Sequence, residues 1–237
     1  VKHPALIVCL IIFSCTSARA GRGETFVHDV VARGGEEVRL TVETRGEVFN
    51  RGGELVEFFV DGKSFGKKLS GGDGFAFREF TPHRTGIYRV SARSGGEEAS
   101  GLLLTLPQGR KILFVDVEGA LLEGGPFSGK TRDGSQNTLK EMSRRFPVLF
   151  LQTGVMGESA VKDWLKKNGF IDAPVLAWSN GAVLDEILEK GLGIKAIVGG
   201  PGVVESAKEY KAAAFTFQET EGAIEVKDWE EIRKKLK

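Results

Sequence analysis

The hydrophobic pattern changes period once along this 237-residue chain, and that change constrains the fold more than any single residue does. From about Gly21 to Pro107 the pattern favours a period of two: Val38, Leu40 and Val42 alternate with Glu37, Arg39, Thr41 and Glu43, and Leu55 to Val60 reads as a second strand. A period of two puts successive side chains on opposite faces of a half-buried strand. Asp61-Gly62 and Asp73-Gly74 supply hairpin turns, Thr85 to Ala92 alternates again, and Leu102 to Leu106 closes the set. Short strands with turn signals between them predict an all-β sandwich over 21–107.

Pro107-Gln108-Gly109 reads as a linker, and apolar runs then alternate with helical patterns over 108–237. Ile112 to Val115 is a buried strand, and Asp116 and Glu118 stand at its carboxyl end before Gly119. Leu139, Met142 and Phe146 share a face of a helix over Asn137–Phe146, and Val148 to Leu151 is the next apolar run. Ser159 caps a helix carrying Val161, Trp164 and Leu165 that stops at Asn168-Gly169. Further strands are expected at Pro174–Trp178, Ile194–Val198 and Ala213–Phe217, with helices at Val183–Lys190, around Val204–Tyr210 and from Asp228, where Glu231 completes a capping box. Strands alternating with helices predict a parallel sheet covered on both faces, with ligands expected at the carboxyl ends of its strands.

Residues 1–20 have one Lys near the front, an apolar run from Ala5 to Phe13 and Ala18-Arg19-Ala20 at the end, the pattern of a secretory signal peptide. Cleavage after Ala20 removes both cysteines, Cys9 and Cys15, and with them any disulfide or thiol chemistry. A lipoprotein anchored at Cys15 is the second reading, with the bulky Phe13 against it. The expected location is therefore exported, periplasmic or extracellular, with no transmembrane helix in the mature chain. Lys+Arg 33 against Asp+Glu 32, with neither half strongly basic, argues against a nucleic-acid partner. His28 and His83 are far apart with no acidic partner at ligand spacing, so surface or packing roles are expected for both.

Two resemblances add to this. Val56 to Lys63 and Thr85-Gly86-Ile87-Tyr88 resemble bacterial immunoglobulin-like domains, which implies that the Tyr88 hydroxyl bonds back to the chain as a tyrosine corner. Asp116-Val117-Glu118-Gly119-Ala120, then Leu149 to Gly154, then Gly199 to Tyr210, resemble the motifs of a haloacid dehalogenase-like (HAD) domain; Gly169 to Leu176 and Gly199 to Tyr210 are similar to the lipin-type phosphatidate phosphatase branch. The fold so implied is an immunoglobulin-like β-sandwich followed by a HAD-like α/β three-layer, Rossmann-like domain without a large cap.

What the HAD resemblance implies is a phosphoryl-transfer site. Asp116 would be the nucleophile, Glu118 the general acid and base, Thr153 a hydroxyl donor to the phosphate, and Lys190 or Lys195 the balancing cation. Gly119, Gly154, Gly199 and Gly200 would bind phosphate. Mg²⁺ would be held by Asp116, the backbone carbonyl of Glu118 and Glu205. Glu118 stands where the family has Asp, Ala120 where it has Thr, and Gly200 and Val204 where it has acids that hold the metal. That loss favours a degenerate, weakly active or inactive relative serving as a binding or structural module. The alternative is an active Mg²⁺-dependent hydrolase of a phosphorylated small molecule, a phospholipid or another bulky phosphomonoester.

Gly124 to Thr131 also matches the P-loop pattern G-x-x-x-x-G-K-T. That pattern binds phosphates only between a strand and a helix, and Arg132-Asp133-Gly134-Ser135 follows where the helix should begin. A loop over the site is the expected reading.

Overall fold

The computed structural model describes residues 23–125 and 128–236. The signal-type segment 1–20, with Cys9 and Cys15, lies outside the described residues. Eight strands come first: β1 (Glu24–Val27), β2 (Val30–Arg33), β3 (Val38–Arg45), β4 (Leu55–Val60), β5 (Lys63–Leu69), β6 (Phe75–Phe80), β7 (Gly86–Ser94) and β8 (Glu97–Leu106). They form a three-stranded sheet in the order β1-β3-β6 and a five-stranded sheet in the order β2-β8-β7-β4-β5. The alternation is visible in burial: Leu40 and Val42 are buried while Arg39 is exposed. Tyr88 is buried, and its hydroxyl accepts from the Arg84 amide at 2.8 Å and donates to the Arg84 carbonyl at 3.2 Å.

The second half contributes β9 (Lys111–Asp116), α1 (Ser135–Met142), β10 (Val148–Gln152), α2 (Glu158–Lys167), β11 (Val175–Ala177), α3 (Ala182–Glu189), β12 (Gly193–Val198), α4 (Pro201–Ser206), β13 (Ala213–Thr216), β14 (Ile224–Glu225) and α5 (Trp229–Lys235). Its six strands run parallel in the order β11-β10-β9-β12-β13-β14. Alternation along β9 divides the core: Leu113 and Val115 pack with residues of α1, α2 and α5, and Ile112 and Phe114 with residues of α3 and α4. Asp228 caps α5 by accepting from the Glu231 amide at 2.8 Å, and Glu231 accepts in return from the Lys227 amide at 3.1 Å.

The expected division into a self-contained sandwich and a HAD-like three-layer domain is corrected. Strand accounts for 39% of the described residues and helix for 24%, so strand pairing supplies most of the regular structure. The topology is mixed: β2 joins β8 in parallel, while the rest of that sheet is antiparallel. Val31, Leu104 and Leu106 lie in the same buried cluster as Ile112, Phe114, Val183 and Leu184, so the two halves share a core across the junction.

A buried carboxylate fixes that junction. Asp29, between β1 and β2, accepts from the Leu102 amide at 2.7 Å, the Val175 amide at 2.8 Å and the Lys162 ammonium at 2.8 Å. Lys162 also donates to the Val27 carbonyl at 2.9 Å and lies over the Phe26 ring. One side chain thus gathers β8, β11 and α2. Beside it, His28 stands between Glu43 of β3 and Glu158 of α2, at 3.6 and 3.2 Å, in a packing rather than a ligand position.

Burial pushes the Asp29 carboxyl above its ordinary range, against the pull of Lys162 and of the Val175 and Leu102 amides. Such a group binds its proton more readily folded than unfolded. Its contribution is therefore full below the ordinary pKa of about 3.9 and is lost as pH rises through the raised value. Asp29→Asn turns an amide N–H toward a backbone N–H and leaves Lys162 uncompensated, and it should lower the unfolding free energy at pH 7 by about 3 kcal/mol. Urea unfolding at two pH values checks this: the gap between parent and variant should widen from pH 7 to pH 4, and a gap that narrows contradicts the assignment.

Candidate functional site

Parallel register brings three chain segments to the carboxyl edge of the six-stranded sheet. Leu151 of β10 pairs with Asp116 and Val198 of β12 pairs with Val115, so Thr153 and Gly199-Gly200 emerge on either side of Asp116. Asp116 is 3% exposed. One of its oxygens accepts from the Gly119 amide at 3.0 Å and the Thr153 hydroxyl at 2.6 Å, and the other from the Gly200 amide at 2.9 Å. The first of these bonds caps a five-residue π-helical turn, Val117–Leu121, which turns Glu118 back toward β10.

Glu118 is 9% exposed, and its carboxylate accepts from the Val155 amide at 3.2 Å and the Met156 amide at 2.8 Å. The two carboxylates thus tie the ends of β9, β10 and β12 with five hydrogen bonds, all from groups of this chain. Two glycines permit the approach. A Cβ on Gly119 would overlap the Asp116 carboxylate and the Gly200 amide, and one on Gly154 would overlap the Glu118 carboxylate. Gly199 is nearly as confined, since a Cβ there would lie 2.9 Å from the Asp116 Cβ, whereas Gly200 has room for a methyl group.

Of the residues picked from the sequence, Asp116, Glu118, Thr153, Gly119, Gly154, Gly199 and Gly200 converge here. The other three do not. A parallel strand runs from its amino to its carboxyl edge, so residues before or early in β12 fall on the far side of the sheet from Asp116. Lys190, at the end of α3, is 3.9 Å from Glu186, and the Lys195 ammonium lies 5.0 Å from the centre of the Phe146 ring. Glu205 is exposed on α4, whose Val203 and Val204 face the core.

Among the described residues no group of three or more His, Cys, Asp or Glu is arranged to hold a metal, and Asp116 and Glu118, at 3% and 9% exposure, are turned onto donors of this chain. Around the P-loop-like stretch, Leu122 bridges to Thr131, Lys130 is ion-paired with Glu123, and α1 begins only at Ser135, so no helix N-terminus follows Thr131 directly. Sequence reasoning missed Asp29 as the pin of the junction, because a lone Asp beside a strand carries no periodic signal.

No family model matches the chain, and no curated protein matches it. Solved structures that are similar over part of it include a polysaccharide lyase (16% identity, 37% of this chain and 12% of that one, TM-score 0.29). Others are the D00-D0 domain of intimin (16%, 35% and 46%, TM-score 0.29) and the fibronectin(III)-like modules of Clostridium thermocellum CbhA (18%, 35% and 98%, TM-score 0.26). The chain thus spans 12% of the lyase and less than half of the intimin fragment. These findings correct the resemblance to HAD proteins and to their lipin-type branch, together with the phosphatase and hydrolase reading that came from it: no HAD protein is among the similar structures, which are strand-rich domains. No helix among the described residues is long and apolar enough to cross a membrane.

The packing around the carboxylates yields a direct expectation. Gly119→Ala should cost about 2–3 kcal/mol, since the rigid Gly200 backbone must move, and Gly200→Ala should cost under about 1 kcal/mol. Thermal unfolding of both variants measures the difference, and equal melting temperatures would show that the edge is looser than its geometry.

Proposed function

We propose that this chain is a non-catalytic interaction module of an exported protein, in which the carboxylates at the parallel-sheet edge hold the fold together. The observation that carries this reading is that both oxygens of the buried Asp116 are tied to donors of this chain. A nucleophilic carboxylate must present an oxygen to its substrate, and a general acid must reach a leaving group. Here both Asp116 oxygens accept from Gly119, Thr153 and Gly200, and Glu118 is turned onto the Val155 and Met156 amides. Export is supported by the signal-type pattern of residues 1–20. A binding role is supported by a groove of about 890 Å³ between the strand layers and α2, whose lining includes neither Asp116 nor Glu118.

The chain and its Asp116→Asn variant should release the same background of phosphate from a panel of phosphomonoesters with Mg²⁺, phosphatidate among them. The variant should also be less stable by about 2 kcal/mol, because its amide N–H group must face donors in place of an acceptor. Release by the parent that disappears in Asp116→Asn would overturn the non-catalytic reading.

A further inference from the structure

The ladder of β8 is covered on one side only in part. β2 pairs with Leu103 to Leu106 and stops there, while β7 pairs with β8 along its whole length without a register shift. The outward-facing positions are fixed by two bonds: the Leu106 carbonyl accepts from the Gly34 amide, and the Leu102 amide donates to Asp29. Backbone groups alternate sides every second residue in an antiparallel pair, so the amides and carbonyls of Ser100 and Glu98 face outward as well. Neither residue's backbone has a partner on that side among the described residues. Ser100 and Glu98 also line the 890 Å³ groove, whose other walls are β1, α2 and the segment 170–173.

We propose that this open stretch of β8 takes up an extended, basic peptide segment of a partner protein, which continues the sheet in line with β2. The inference rests on reading the chain as an interaction module and names the partner's chemistry. Three observations select that occupant. Unpaired strand-edge groups are satisfied by another backbone, and β2 already occupies the same edge in this way. The groove is acidic on balance: Glu24, Asp29, Glu97, Glu98, Asp163 and Asp172 line it against Arg89, Lys162 and Lys166, and Arg93 beyond the lining pairs with Glu98. Ser100 at the centre of the open stretch is small and exposed, so a second backbone meets no bulky side chain from that position.

The probes are an eight-residue peptide alternating Lys with Val and Thr, the same peptide with Glu in place of each Lys, and the Lys peptide N-methylated at alternate amides. The Lys peptide should bind and slow hydrogen exchange of the Ser100 amide, and each of the other two should bind at least about tenfold more weakly. Ser100→Pro removes an outward N–H, a place where an edge strand tolerates proline, and should weaken binding about tenfold at an unchanged melting temperature. Glu98→Lys, which leaves the backbone alone, should weaken the Lys peptide and strengthen the Glu peptide. Equal binding of the N-methylated peptide, no protection at Ser100, or binding of maltohexaose in place of the Lys peptide would each overturn the proposal. Phosphate release is read in a separate assay, so turnover at Asp116 would sink the non-catalytic reading without being mistaken for failure at the groove.

Discussion

Asp116 receives hydrogen bonds from three separate segments, and the parallel sheet closes at its carboxyl edge because of them. The carboxylate is buried at the end of the central strand, where an unsatisfied charge would cost several kcal/mol. Gly119, Thr153 and Gly200 lie at the start of three different connections, so satisfying one side chain fixes the exits of β9, β10 and β12 together. Glu118 repeats the device one layer out, by anchoring the amides that lead into α2.

Asp29 does for the junction what Asp116 does for the sheet. It collects two amides and an ammonium from elements that follow it by at least 70 residues, beside the shared cluster of Val31, Leu104, Leu106, Ile112 and Phe114. The strand layers are therefore held in one orientation against α2 and β11, and the groove beside β8 has fixed walls. A rigid recess with one unpaired strand edge favours recognition of an extended backbone, because little ordering entropy remains to oppose binding.

Much of this architecture was legible in the residues. Ile112 to Val115 announced a buried strand ending in two carboxylates, Tyr88 announced its bond to the preceding turn, and Asp228 with Glu231 announced the start of α5. Other features depended on tertiary context. The first helix was expected at Asn137–Phe146 and forms at Ser135–Met142, because the positive φ of Gly134 starts it early and the chain must turn through Ser143 to Phe146 before Pro147 leads into β10. β14 has two residues, too few to show a period. Lys190 and Lys195 had the right charge at the wrong sheet edge. Asp29 was invisible, since what makes it matter is the set of distant amides it meets.

The central claim is that both strand-end carboxylates are tied into the fold by amides of the neighbouring connections, and native-state hydrogen exchange tests it most directly. The amides of Gly119, Gly200 and Met156 lie in connections, yet their bonds to Asp116 and Glu118 should protect them to nearly the level of global unfolding, while the outward-facing Ser100 amide exchanges freely. Rapid exchange at Gly119 and Gly200 would mean that Asp116 is open to solvent and available to a ligand, and would contradict the account.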